Sequence, residues 1–292
     1  MSTLYVVATP IGNLEDISPR ALRVLREADL ILAEDTRVTV KLLNAFSIKK
    51  PLESYHQHNE NLKTEQVIAR MLEEDLKVAL VTDAGTPAVS DPGALLVAAA
   101  HQAGIPVFAV PGPSAFAAAL SVAGFEETSF AFYGFLPRKP KELRDSLRSL
   151  RQGPNLAVLY EAPQRVLALL QAIREVHPGC MVSVSRELSK LHEQTIHGGI
   201  DEVLARFEQE PGLLRGEFVL VIAVPPLQKE TVLVKETGLE GQLVDALVKG
   251  RNLRDAMADL VASGQRKNMV YAASLKLKAL AHELAGGVDK PS

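Results

Sequence analysis

The sequence has 292 residues, with 32 Lys and Arg against 35 Asp and Glu, for a formal charge of −3. Apolar residues make up 47%, enough to bury a core, which excludes a disordered chain. The single cysteine, Cys180, excludes an intrachain disulfide and, with no CxxC or Cys/His spacing, a cysteine zinc module.

The first apolar run, Leu4–Thr9, predicts a strand. Ser18 followed by Pro19 marks a helix start, with Leu22, Val24 and Leu25 on its apolar side. Leu30–Ala33 is the next strand, Val38–Phe46 a helix, Asn59–Glu74 a longer helix capped by Asn59, and Val78–Thr82 a third strand. Between Pro92 and Phe125 no residue is charged, counting His101 as neutral. Gly104, Pro106, Pro111, Gly112 and Pro113 interrupt this stretch too often for a membrane span. It reads as a buried helix at Ala94–Ala103, a buried strand at Pro106–Val110, a loop, and a second buried helix.

Strands alternating with helices indicate α/β architecture with a largely parallel sheet covered on both faces. Ligands in such sheets sit at the carboxyl ends of the strands, and three loops there are rich in Gly and Pro: Pro10–Leu14, Ala84–Gly93 and Pro111–Ala115. A second α/β block begins near Phe125, with strands at Ser129–Gly134, Leu156–Tyr160, Met181–Ser185, Glu193–Gly198 and Glu217–Val224. Helices fall at Pro140–Arg151, Gln164–Val176 and Asp201–Phe207. Fewer helices per strand imply mixed pairing. The expected domains are residues 1–112 and 113–225, then a linker over 226–240 and a helix-turn-helix extension over 241–292. The extension has helices at Gln242–Lys249, Leu253–Ala262 and Asn268–Glu283. It is too small to bury much alone and is expected to pack on the main body.

Neither GxGxxG nor GxxxxGK[ST] is present. Thr9–Asn13 serves as an ordinary turn or as a loop that lets a ligand approach backbone amides. Thr82–Gly93 concentrates two Asp, two Gly and two Pro after a strand, where Asp83 or Asp91 could bind an amine or a ribose. Glu34–Arg37 is either a salt-bridged helix start or a charged cluster facing substrate. His56, His58 and Glu60 could be imagined as a metal site, but no further ligand is placed to complete it.

Residues 138–151 carry net +4, directly after Phe132, Tyr133 and Phe135. Cations beside aromatics suit single-stranded nucleic acid, although at least one ring belongs in the core. Residues 249–278 carry net +5. Phosphate binding depends on such local fields, so the near-neutral total does not exclude RNA.

In chain order, TPIGNLEDIS, AEDTR, SYHQHNE, TDAGTPAVSDPG, VPGPSA, GFLPRK, YEAPQR, SRELSK and RGEFVLVI resemble the motifs of the tetrapyrrole-methylase-like (class III) methyltransferases. Within that family they resemble the bacterial subfamily acting on 16S ribosomal RNA, over roughly residues 3–224. EDTR, HNE and DAGTP…SDPG are specific to the subfamily. The resemblance implies an enzyme dependent on S-adenosyl-L-methionine that methylates the ribose 2′-oxygen of a decoding-region cytidine in 16S rRNA, within the small ribosomal subunit. It also implies two α/β domains with the cofactor in the cleft between them, and a homodimer. No membrane partner is expected, and methyl transfer from a sulfonium requires no metal. No secretory signal is visible, and a cytoplasmic location is expected.

By motif, Pro10, Ala84, Gly85, Thr86, Val89, Ser114, Ala115, Glu161 and Leu188 fall at cofactor positions. The catalytic candidates are Glu34, Asp35 and His56, because a ribose hydroxyl needs its proton accepted or positioned. Arg37, Arg138, Lys139, Lys141, Arg144, Arg266 and Lys267 are the expected RNA contacts. Gln164 stands where the family usually has His, and Ser185 where it often has Gly.

Overall fold

The computed structural model describes residues 1–224 and 238–286. The chain forms two compact units, Met1–Pro226 and Leu227–Ser292.

The first sheet of the larger unit contains β1 (Thr3–Val7), β2 (Leu30–Ala33), β3 (Leu52–Ser54), β4 (Lys77–Val81) and β5 (Val107–Val110). All are parallel, in the order β3-β2-β4-β1-β5. β2 is apolar and buried at every position because both faces of the sheet are covered there. In β2, Ile31 and Ala33 enter one core with Val7, Ala21 and Leu25 of the first helix's side, while Leu30 and Leu32 enter another with Val67, Met71 and Leu96. The intervening helices are α1 (Pro19–Glu27), α2 (Thr36–Ala45), α3 (Glu60–Glu74) and α4 (Ala94–Gln102). Ser18 caps α1 by accepting from Ala21 N, with Pro19 at the first turn.

Three sequence expectations change here. The strand at 107–110 is fully buried only at Val110. It is the edge of the sheet, so Phe108 is half exposed and stacks on Tyr5 at 5.9 Å. The three-residue β3 has no apolar run to announce it and exists through its parallel pairing with β2. Asn59 stands at the start of α3 but does not cap it. Its side chain accepts from His56 N at 2.8 Å and donates to the Ser54 carbonyl at 3.2 Å, bracing the loop after β3 instead.

The second sheet contains β6 (Phe130–Phe135), β7 (Leu156–Glu161), β8 (Met181–Arg186), β9 (Gln194–Gly199) and β10 (Phe218–Ala223), in the order β6-β7-β10-β8-β9. Only β6 and β7 pair in parallel. One face is covered by α6 (Pro140–Ser149), α7 (Val166–Val176) and α8 (Ile200–Gln209). The other carries α5 (Ala115–Val122), whose Ala119 packs among Val158, Val219 and Val221. Contrary to expectation, Ala119 is the one fully buried residue of that helix.

β6 carries an irregularity that matters for function. Its register against β7 jumps between Phe132 and Gly134, leaving Tyr133 as the extra residue, and Gly134 takes φ +62°. Such a bulge re-aims the side chains beyond it. Phe132 turns into the core between Phe116 and Tyr160, while Phe135 stays largely exposed with its ring 5.7 Å from that of Tyr160.

The smaller unit contains α9 (Leu239–Val248), α10 (Leu253–Ala262) and α11 (Lys267–Gly286), gathered around Leu243, Ala256 and Ala273. Gly250 and Gly264, at φ +83° and +99°, follow the first two helices. Asn252 caps α10 by accepting from Asp255 N. The expected linker at 226–240 lies mostly outside the described residues, and α9 already begins at Leu239. Among the described residues, no helix is long and apolar enough to cross a membrane.

Candidate active site

The three Gly/Pro loops converge at the carboxyl ends of β1, β4 and β5, laced together by hydrogen bonds. Thr9 and Gly85 exchange a backbone pair, N to O at 2.8 and 3.0 Å. The Thr9 hydroxyl donates to the Thr82 carbonyl at 3.0 Å, and the Thr86 hydroxyl to the Pro113 carbonyl at 3.3 Å. Gly85 takes φ +85°, which a side chain rarely adopts. At Gly112, a Cβ would come within 2.9 Å of Ala8 Cβ, so the third loop closes on the first only with glycine there.

These loops floor a cavity of about 320 Å³. Ala84, Gly85, Thr86 and Val89 of the second loop line it, as do Ser114 and Ala115 at the start of α5. The second sheet supplies the rest of the wall through Phe135, Tyr160, Glu161 and Phe218. The structure thus brings together seven of the nine residues expected to hold a cofactor. Pro10 and Leu188 are not among them. Pro10 faces a separate cavity with Gly12, Val38 and Asp83, and its neighbour Ile11 lines the main one. Leu188 is buried in the apolar layer under α5.

Glu161 is the unusual member of the wall. Its side chain is fully buried, and Oε1 accepts from Ala162 N at 2.8 Å. Oε2 has no hydrogen bond. The Arg165 guanidinium lies 3.2 Å from it but directs its hydrogen bonds to the carbonyls of Leu136 and Pro137. Burial, only partly offset by hydrogen bonding from Ala162 and by the charges of Arg165 and Arg138, pushes the Glu161 carboxyl above the usual range.

None of the three catalytic candidates lines this cavity. Glu34, directly after β2, accepts from the Thr82 hydroxyl at 2.6 Å. Asp35 caps α2 by accepting from Arg37 N at 2.8 Å and pairs with the Arg37 guanidinium at 2.5 Å. Those Arg37 contacts hold the Asp35 carboxyl down at about 2. Arg37 remains 87% exposed despite the pair. His56 lies after β3, with its ring Nδ1 buried and unbonded and its ring centroid 5.9 Å from that of His58. Among the described residues, no group of three or more His, Cys, Asp or Glu is placed to hold a metal ion.

Sequence reasoning passed over Ile11, Phe116, Tyr160 and Phe218 as cavity residues, and their apolar character gave no signal. Asp91 was legible only as a possible ligand for an amine or ribose. In the structure it lines the cavity, and burial followed by the charge of Glu34 raises its carboxyl to about 6.

The basic stretch is less free than its charge implies. Lys139 pairs with Glu142, Arg148 with Asp145, and Arg144 with Glu175 of α7. Arg151 donates to His177 Nδ1 and the Val176 carbonyl. Arg138 has no ion-pair partner among the described residues. It lines two further cavities, of about 670 and 370 Å³, with Gln164 and Arg165. The larger shares Phe135, Glu161 and Ala162 with the main cavity and so continues it. In the smaller unit, Arg266 and Lys267 are exposed at the N-terminal end of α11, where the helix dipole disfavours cations.

Known proteins bear on this geometry directly. The model of the tetrapyrrole (corrin/porphyrin) methylases matches residues 3–204. A Thermotoga maritima protein called ribosomal RNA small subunit methyltransferase I is 45% identical over 223 residues, covering 76% of this chain and 99% of its own. One of the same name from Synechocystis sp. is 41% identical over 282 residues, covering 96% and 99%. The solved uroporphyrin-III C-methyltransferase of Thermus thermophilus, complexed with S-adenosyl homocysteine, shares the fold. Its TM-score is 0.53 at 18% identity, over 76% of this chain and 97% of that one. The chain belongs to the tetrapyrrole methylases and, within them, to the ribosomal RNA small subunit methyltransferase I family.

Proposed function

We infer that this protein transfers a methyl group from S-adenosylmethionine to the ribose 2′-oxygen of a cytidine in 16S rRNA, acting on the small ribosomal subunit in the cytoplasm as a homodimer. The observation that carries this reading is the junction of two cavities. A pocket floored by laced Gly/Pro loops opens, past Phe135 and Glu161, into a groove bearing Arg138, Gln164 and Arg165. The division into domains at residues 112 and 113 fits this reading, with one sheet on each side of the pocket.

The pocket suits the cofactor. Its volume lies in the ordinary range for small-molecule sites, about 300–1,000 Å³. In this reading the polar ends of the cofactor meet Ala84, Thr86, Ser114 and Ala115, and its base meets the rings of Phe135 and Tyr160, all of which line the pocket. The unbonded Glu161 Oε2 offers an acceptor for an amine or hydroxyl. When bound, S-adenosylmethionine supplies a methyl carbon on a sulfonium, already activated for displacement. The protein's own work is therefore alignment and the handling of one proton. Phosphates of the RNA track along the groove from Arg138, and Arg37, Arg266 and Lys267 add exposed cations.

The decisive experiment follows tritium from labelled S-adenosylmethionine into undermodified 30S subunits, naked 16S rRNA and uroporphyrinogen. Label in a ribose of 16S rRNA is expected. Label confined to the tetrapyrrole overturns the RNA reading, and binding of RNA and cofactor without any transfer makes the protein a sensor.

A further inference from the structure

Four carboxylates gather after β2 and β4: Glu34, Asp35, Asp83 and Asp91. All four have partners within the protein. Glu34 accepts from Thr82, Asp83 accepts from Asp35 N at 3.0 Å, Asp35 holds Arg37, and Asp91 also takes a hydrogen bond from the Thr82 side chain. Asp91 alone of the four lines the cavity where the cofactor loops meet the second sheet.

Its loop is held firmly. Gly93, two residues on, takes φ +134°, and a Cβ there would meet Leu80 Cδ2 of β4 at 2.6 Å. Ala88, three residues before Asp91, sits at φ +64° although it is not glycine. Backbone in such conformations persists where the surroundings over-determine it, so the carboxyl is presented from a rigid turn. The groups that face Asp91 are Thr82, Glu34 and Asp83 from the first sheet. From the second sheet it is Tyr160, whose phenol is raised by burial and, in smaller part, by the Asp91 charge.

We propose that Asp91 accepts the proton of the substrate hydroxyl during methyl transfer. This rests on the ribose methylation inferred above. A bond forms between the 2′-oxygen and the methyl carbon as the methyl–sulfur bond breaks, its electron pair staying on sulfur. The hydroxyl proton goes to an Asp91 carboxylate oxygen, which is neutralised as the sulfonium loses its charge. Glu34 and Asp83 act on this residue through their charges. Burial and the neighbouring Glu34 raise Asp91 to about 6, so it is ionised at neutral pH yet more basic than an ordinary carboxylate.

The test compares the wild-type chain with Asp91→Asn in three measurements: tritium transfer into undermodified 30S subunits across pH 5–8, calorimetric binding of S-adenosylhomocysteine, and 13C NMR of the side-chain carboxyls. Turnover of the variant falls at least about 100-fold, while its affinity for S-adenosylhomocysteine stays within about threefold. A carboxyl resonance that titrates near pH 6 disappears from its spectrum. Wild-type kcat/KM rises with pH up to about 6 and then levels, a profile that needs no variant to read. Turnover within about threefold of wild type overturns the proposal, as does a wild-type profile flat between pH 5 and 7. Loss of S-adenosylhomocysteine affinity equal to the loss of turnover also overturns it, by assigning Asp91 to the cofactor. A wild-type enzyme that labels no RNA refutes the reaction itself and this step with it.

Discussion

The Thr82 hydroxyl donates to Glu34 Oε2 at 2.6 Å, joining the residue after β4 to the residue after β2 across neighbouring parallel strands. Thr82 is buried, and its carbonyl accepts from the Thr9 hydroxyl, so one residue links three strand ends. Thr82→Val keeps the shape and removes the donor. A hydrogen bond to a charged group contributes about 1.5–3 kcal/mol, and a loss near the lower end is expected because Glu34 is only partly buried. The midpoint of denaturant unfolding should fall with its slope unchanged. An unchanged midpoint would show that the bond is replaced by water at no cost.

Glu34→Gln leaves the shape of that contact and removes a negative charge beside Asp91. The charge of Glu34 is the second cause, after burial, of the raised Asp91 carboxyl. Taking it away stabilises the Asp91 carboxylate, so the Asp91 pKa falls. The acid limb of kcat/KM should move to lower pH, with the plateau reached earlier. A limb that stays near 6 would mean that another group controls it.

Asp35 contributes to stability with the opposite sign of shift. Its contacts with Arg37 lower it from 3.8 to about 2 in the folded chain. A depressed carboxylate stabilises the fold above its unfolded pKa, and that contribution is lost as pH falls from about 4 through about 2. Asp35→Asn keeps a side chain able to cap α2 but loses the ion pair. The variant should melt earlier at pH 7 and lose less of its melting temperature between pH 4 and pH 2 than the wild type. Parallel melting curves over that window would count against the Arg37 pair as a stabilising contact.

Legibility in the sequence followed burial. Leu30–Ala33 reads as a strand because every side chain enters one of two cores, and Ser18 with Pro19 reads as a helix start because the cap is local. What stayed hidden depends on neighbours distant in the chain. β3 is a strand only because β2 pairs with it, and Phe108 is exposed only because no strand lies outside β5. Phe135 lines the cavity, beyond a one-residue bulge at Tyr133 that shifts the register. Seven of the positions named from motifs line the cavity, six of them because the loops after β4 and β5 themselves build it. Asp91 could not be singled out from Glu34, Asp35 and Asp83 until the cavity was visible, because it alone of the four lines it.

The same dependence on distant partners separates two arginines of the basic stretch. Arg144 is held by Glu175 at 2.9 Å, a residue 31 positions away. Arg138 has no ion-pair partner among the described residues and lies in the groove that continues the main cavity. A cation that contacts a phosphate releases a counterion, giving about 0.7 of log K per log salt for each single-strand contact. Arg138→Ala should therefore weaken RNA binding and flatten its salt dependence by roughly that amount, with S-adenosylhomocysteine binding unchanged. Arg144→Ala should flatten it less, because its guanidinium must leave Glu175 before it can serve a phosphate. Filter binding of 16S rRNA fragments over a salt series reads both slopes. A larger change for Arg144→Ala than for Arg138→Ala would move the RNA track off the groove and onto the outer face of α6.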